Sequence, residues 1–253
     1  MKALLFDVGN TRLKWGVATD GEIGRTGHVS LKRLNDSGFA ALTTRLPRRI
    51  DQVMASNVAG PSFGARLAAV IGIHCGRELR FAKTERTAHG VTNAYRRPRQ
   101  LGVDRWVAMI GAWAEFESAC VVVDAGTAVT IDVLDDQGMH LGGQILPGVS
   151  LMAQALSGET SDIGPVARRI KGTASGLTMF AHSTAAAVQN GAWNAVTGAV
   201  ERAINALRSN AYDPVVVLTG GDGSRMLDAL SETPQWRPDL VLQGLLHILE
   251  SRQ

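Results

Sequence analysis

Leu4-Leu5-Phe6-Asp7-Val8-Gly9-Asn10-Thr11 returns far along the chain as Val121-Val122-Val123-Asp124-Ala125-Gly126-Thr127. Each copy is an apolar run, an Asp, one further residue, a Gly and soon after a Thr. Each leads into a second apolar run and an acidic-glycine turn, Asp20-Gly21 in the first case and Asp135-Asp136-Gln137-Gly138 in the second. Self-similarity of this kind implies two related halves. An Asp at the end of a buried strand, beside a glycine turn, suits the holding of a metal-bound phosphate better than the closing of a plain loop.

Working outward from the first copy, Ala3–Asp7, Lys14–Thr19 and Glu22–His28 read as three consecutive strands. Leu42–Leu46 reads as the end of a short helix, Gln52–Ser56 as a strand, Phe63–Ile73 as a helix and Glu78–Ala82 as a strand. Thr84 to Leu101 is poor in apolar residues and reads as a loop; long loops in compact domains are often functional. A helix is expected from Val103, with Val103, Trp106, Val107, Ile110 and Trp113 on one face.

Around the second copy, Cys120–Asp124, Val129–Leu134 and His140–Leu146 read as strands, followed by a helix from Ser150 to Leu156. Ser161–Gly176 reads as a polar connection. Thr184–Arg208 is the longest helical pattern, with Val188, Ala192, Ala195, Ala199, Ala203 and Leu207 on one side. Its small residues allow close packing within the chain or against a second subunit. Val215–Leu218 reads as a strand, with a helix expected after Thr219-Gly220-Gly221-Asp222-Gly223. The pattern predicts α/β architecture in two halves with mixed sheets and a cleft between them, residues 1–101 and 102–253.

The 253 residues can bury a large core. Hydrophobic content of 45% and charged content of 19% are ordinary for a globular protein. A net charge of +3 with pI near 9.1 is only mildly basic. Arg96-Arg97-Pro98-Arg99 is the one arginine cluster, and a loop serving an anionic substrate explains it as well as nucleic acid does. No helix-turn-helix or strongly basic helix is visible, so nucleic acid is an unlikely partner. The two cysteines, Cys75 and Cys120, lack metal-ligand spacing, and no disulfide framework is expected. No signal peptide and no apolar run of about 20 residues is visible, so a cytoplasmic protein without a membrane partner is expected.

Asp7-Val8-Gly9-Asn10-Thr11-Arg12-Leu13-Lys14 combines the parts of a phosphate cradle. Gly9 lets backbone N–H groups approach a ligand, Asn10 and Thr11 add neutral donors, and Lys14 adds positive charge. Asp7 can hold Mg²⁺, which prefers oxygen ligands and keeps several waters. The plain alternative is a tight hairpin capped by Asp. Asp124 and Thr127 occupy a similar turn. Leu218-Thr219-Gly220-Gly221-Asp222 is a third glycine site, and Gly142-Gly143-Gln144-Ile145-Leu146-Pro147-Gly148 a fourth. No Gly-x-x-x-x-Gly-Lys-Ser/Thr occurs, which excludes a P-loop. Asp104, in Gly102-Val103-Asp104-Arg105, falls in the first turn of the expected helix, where the helix dipole favours a carboxylate. It can cap that helix, or accept the proton of a substrate hydroxyl. Arg105 can bind a carboxylate or a transferring phosphoryl group.

These motifs together, with Asp124-Ala125-Gly126-Thr127-Ala128-Val129-Thr130-Ile131-Asp132 and the closing Pro238-Asp239-Leu240-Val241-Leu242-Gln243-Gly244-Leu245, resemble the type III pantothenate kinases, in order and from end to end. The resemblance implies duplicated ribonuclease H-like halves of the actin, Hsp70 and sugar kinase type, and a homodimer. It implies ATP-dependent phosphorylation of pantothenate to 4′-phosphopantothenate, the first step toward coenzyme A. By motif, Asp7, Val8, Gly9, Asn10, Thr11, Arg12, Leu13 and Lys14 would bind the phosphates of ATP with Mg²⁺. Thr127 would contact ATP, and Asp124 would help hold K⁺ or NH₄⁺. Asp104 would be the proton acceptor beside Arg105. Tyr95, Gly102, Val103, Asp104, Arg105 and Thr184 would line the pantothenate pocket. Ser183 is a departure, since the family commonly has Asn before that Thr. The rival readings are a nucleotide-binding transcription accessory protein without turnover, and another small-molecule kinase or phosphohydrolase on the same fold.

Overall fold

The computed structural model describes residues 1–159 and 179–251. The connection expected at Ser161–Gly176 lies outside the described residues. β1 (Lys2–Val8), β2 (Arg12–Thr19) and β3 (Glu22–Ser30) form an antiparallel meander. β1 also pairs in parallel with β4 (Gln52–Asn57), which pairs in parallel with β5 (Leu79–Phe81). The strand order is therefore β3-β2-β1-β4-β5.

The same pattern recurs after residue 119. β8 (Cys120–Ala125), β9 (Ala128–Leu134) and β10 (His140–Pro147) form the meander, while β11 (Val215–Thr219) and β12 (Gln235–Trp236) join β8 in parallel, in the order β10-β9-β8-β11-β12. The two mixed sheets are topological copies, which realises the two halves expected from the repeated motif and fits the ribonuclease H-like fold that the resemblance implies. Between them, β6 (Thr87–Ala88) and β7 (Val91–Thr92) make a small hairpin within the expected loop.

The chain packs as two compact units, Met1–Glu115 with Asp239–Gln253, and Phe116–Pro238. This division differs from one at 101/102 by helix α4 (Val103–Phe116) and by the return of the C-terminal helix. In the first unit, α1 (Leu31–Ser37), α2 (Ala40–Thr43) and α3 (Pro61–Cys75) cover the sheet face presented by Leu4, Phe6, Val8, Leu13, Trp15 and Val17. Side chains alternate along a strand, so Asp7, Lys14 and Gly16 face the other way. α5 (Val149–Glu159) and α6 (Thr184–Arg208) belong to the second unit, and α7 (Leu240–Glu250) packs on β1, β2 and β4 of the first. α7 crosses α4 where two glycines meet: a Cβ at Gly111 would lie 2.7 Å from the Leu240 carbonyl oxygen. That close crossing is what assigns α4 to the first unit.

Two sequence expectations need correction. Ala195, placed on the buried side of the long helix, is exposed; the buried stripe of α6 runs through Trp193, Val196, Val200 and Ile204. These larger side chains bury more apolar area than the alanines would. The helix expected after Gly223 is a single 3₁₀ turn, Gly223–Met226. Cys75 and Cys120 are both free thiols.

Candidate active site

In each sheet the parallel strands end together on one edge, and in open α/β sheets ligands bind beyond the carboxyl ends of the strands. β1, β4 and β5 end at Val8, Asn57 and Phe81; β8 and β11 end at Ala125 and Thr219. The Asp-Gly turns follow β1 and β8.

In the first unit the chain reverses through Gly9, Asn10 and Thr11. The Gly9 N–H donates to the Arg12 carbonyl at 3.1 Å, and Thr11 offers its carbonyl to the Leu31 N–H at 2.9 Å. These bonds fix the turn while Asn10 and Thr11 stay exposed. Asp7 and Lys14 are cross-strand neighbours, and the Lys14 ammonium is 2.9 Å from the Asp239 carboxylate. Lys14 is thus held on the sheet face opposite α1, α2 and α3, at the start of α7 and next to Asp7. The side chains of Val8 and Leu13 lie in the hydrophobic core and Arg12 is exposed. Of these three, the first two can serve a ligand only through their backbone.

Gly102 precedes α4, and its carbonyl accepts the Trp106 N–H at 3.0 Å. Asp104 is half-buried in the first turn, and its Oδ1 accepts the Arg105 N–H at 2.8 Å. A side chain at Gly102 would put its Cβ 2.7 Å from that same oxygen. Arg105 is only 7% exposed, and its Nη1 donates to the Tyr95 hydroxyl at 3.1 Å. Tyr95 is positioned in turn by Asn93, whose Oδ1 accepts the Tyr95 N–H at 2.9 Å. Arg86 completes the scaffold by donating to the carbonyls of Asn93 and Arg96 at 2.9 and 2.8 Å. Asp104, Arg105 and Tyr95 are therefore one connected group. Asn93, Arg86 and Asp239 were missed as positioning residues; an Asn and an Arg inside an otherwise apolar-poor loop were the available signal for the first two.

Two cavities open at the carboxyl edge of the first sheet. One, of about 510 Å³, is lined by Asn57, Lys83, Thr84, Arg99, Leu101 and Val103 among others. The other, of about 610 Å³, lies beside Asn10 and Thr11 and is bordered by Lys32, Phe63 and Arg66. Both volumes fall in the range of small-molecule sites.

In the second unit, three glycine turns that the sequence holds far apart converge. Gly126 N–H donates to Ala128 at 3.0 Å, Gly148 N–H to Thr127 at 2.9 Å and Asp222 N–H to Ala125 at 2.8 Å. Gly220 has φ +87°, and a Cβ there would collide with the Ala125 carbonyl oxygen and the Asp124 carboxylate. That carboxylate and carbonyl lie side by side under Gly220, an all-oxygen donor set that suits a monovalent cation. Thr127 is exposed at the tip of its turn. Thr184 opens α6, capped by Ser183, whose Oγ accepts the Ala186 N–H at 3.3 Å. Ser and Asn are comparable N-caps, so the departure at this position preserves the helix start. Among the described residues no group of three or more His, Cys, Asp and Glu gathers as a metal cage. An Mg²⁺ ion that arrives with a polyphosphate does not need one.

Residues 3–206 match the family model for type III pantothenate kinase. A type III pantothenate kinase from Azoarcus sp. (strain BH72) is 40% identical over 242 residues, covering 96% of this chain and 88% of that protein. One from Halorhodospira halophila is 37% identical, covering 96% of both. Among solved structures, a Campylobacter jejuni protein assigned to the Baf family of transcriptional activators aligns with TM-score 0.61 at 20% identity, covering 98% of each chain. A Sinorhizobium meliloti protein assigned as a 2-dehydro-3-deoxygalactonokinase aligns with TM-score 0.59 at 16% identity, covering 99% of each. These two share the fold. The chain belongs to the type III pantothenate kinase family.

Proposed function

We propose that this protein transfers the γ-phosphoryl group of ATP to the primary hydroxyl of pantothenate, forming 4′-phosphopantothenate for coenzyme A synthesis. The observation that carries this reading is the Asp104–Arg105–Tyr95 group at the start of α4, in the same unit as the Asp7–Lys14 turn. Phosphoryl transfer rests mainly on positioning and charge neutralisation, and these residues supply both. The turn N–H groups with Asn10 and Thr11 contact the phosphates, and Lys14 offsets their charge. Asp7 would hold Mg²⁺, which when bound would neutralise charge on the phosphate oxygens. Asp104 accepts the hydroxyl proton as that oxygen bonds to the γ-phosphorus, the bond to the β-phosphate oxygen breaks and ADP leaves. Arg105 orients the acceptor, and Tyr95, Gly102 and Val103 shape its pocket. Thr127 contacts ATP, and Asp124 holds K⁺ or NH₄⁺.

A homodimer fits the exposed Leu141 and Ile145 on edge strand β10 and Leu151 on α5, since bare edges and apolar patches favour association. No described helix is long and apolar enough to cross a membrane, and we place the protein in the cytoplasm with the water-soluble substrates. A turnover screen tests the reading: purified protein with Mg-ATP, K⁺ and either pantothenate or several sugars. Phosphorylation of pantothenate is expected. Turnover of a sugar alone, or of nothing, contradicts it and favours another kinase or a regulator.

A further inference from the structure

The cavity between the ends of β4 and β5 and the start of α4 carries charge of one sign. Lys83 and Arg99 line it, and no carboxylate does. Neither cation has an ion-pair or hydrogen-bond partner among the described residues. The neighbouring polar groups are already engaged. Asn57 donates from Nδ2 to the Gly60 carbonyl at 3.0 Å and accepts the Ala59 N–H at 3.1 Å. Thr84, 9% exposed, donates its hydroxyl to the Leu101 carbonyl at 3.0 Å. Arg99 sits in the 3₁₀ turn Pro98–Gln100, closed by the Leu101 N–H donating to Pro98 at 3.1 Å. The walls are thus fixed by internal bonds, and Lys83, Arg99 and the Gln100 amide are the groups left to meet a ligand, the first two carrying the charge. Their charge calls for an anion. Arg105, the other cation near the start of α4, is buried and tied to Tyr95.

Resting on the pantothenate reading, we propose that Lys83 and Arg99 bind the substrate's carboxylate and make the enzyme selective for an anionic acceptor. Pantothenate carries its primary hydroxyl at one end and its carboxylate at the other. Gly102 and Val103, the two residues before Asp104, line the same cavity as these two cations. In this proposal the hydroxyl end lies toward Asp104 and the acid end toward Lys83 and Arg99. Arg105 then serves the reacting end, and the two ends of the substrate are read by different cations.

The test compares pantothenate with its neutral alcohol analogue, in which the carboxylate is replaced by a hydroxymethyl group. Wild-type enzyme is expected to favour the acid over the alcohol by at least about tenfold in kcat/KM, the scale of a charge-assisted contact. Lys83→Ala and Arg99→Ala should each raise KM for the acid about tenfold, with kcat within about twofold and KM for the alcohol little changed. Lys83→Arg should keep most of the preference. Equal losses for acid and alcohol, or no loss for either, overturn the proposal. Wild-type enzyme that phosphorylates both with the same KM overturns it while leaving the kinase reading intact. Wild-type protein that phosphorylates neither overturns both.

Discussion

After β1 the chain takes three residues to turn, Gly9, Asn10 and Thr11; after β8 it takes two, Gly126 and Thr127. The extra residue, Asn10, is exposed, and the first turn carries Lys14 and its partner Asp239 behind it. The second turn has Ala128, Val129 and Thr130 where a cation would be needed. It is instead walled by backbone, with Gly148 and Asp222 donating to Thr127 and Ala125 and with Gly220 pressed against Asp124. One repeated motif thus sits in two different surroundings. In the proposed function the first copy, with its donors and positive charge, meets a polyphosphate, and the second, with its oxygens and narrow backbone surface, meets a cation and a nucleotide.

The sharpest way to break this contrast is to remove the same charge from both turns. Asp7→Asn should lower kcat/KM by about 10²–10³, because the metal-bound phosphate loses its anchor. Asp124→Asn, measured by the same steady-state assay at saturating K⁺, should lose less than about tenfold. Equal losses would mean that the two turns are equivalent grips. Lys14→Ala comes next: KM for ATP should rise about tenfold or more, with KM for pantothenate little changed. A rise confined to pantothenate would move Lys14 out of the phosphate site. Gly220→Ala tests the backbone wall. Both its positive φ and the crowding by Ala125 oppose a side chain, so it should cost roughly 2 kcal/mol. In a chain of this size that is about 4–8 °C in Tm by calorimetry. An unchanged Tm would show that the wall yields. The smallest effect is expected of Asp124→Ala on the response to K⁺. Activation by K⁺ over Na⁺ should flatten, and an unchanged titration would place the cation elsewhere.

Much of this was legible in the sequence because it is local. Apolar runs ending in Asp-x-Gly announce strands and their turns, and a helix beginning at Val103 follows from the period of Trp106, Val107 and Ile110. What escaped is non-local. α7 carries Gln243, His247 and Glu250 at helical spacing among buried leucines, but no local pattern shows that it returns to pack on the first sheet. The Lys14–Asp239 pair joins opposite ends of the chain. The convergence of the turns at Gly126, Gly148 and Gly220 depends on the parallel pairing of β8 with β11, which no local pattern encodes. α1 was overlooked because Leu31 and Leu34 are its only buried side chains, too few to show a period. Its cap is nonetheless regular, with Ser30 accepting the Arg33 N–H.

Asp104 carries the central claim, and its two roles can be separated by one substitution. Asn keeps an oxygen that can accept the Arg105 N–H, and it is as good as Asp at a helix start, but it cannot take a proton from a hydroxyl. The decisive measurement is kcat of Asp104→Asn with saturating ATP and pantothenate, with Tm measured alongside. A fall of about 10²–10⁴ in kcat, with Tm nearly unchanged, is the expected result. Full kcat in that variant would make Asp104 a helix cap alone and contradict the account.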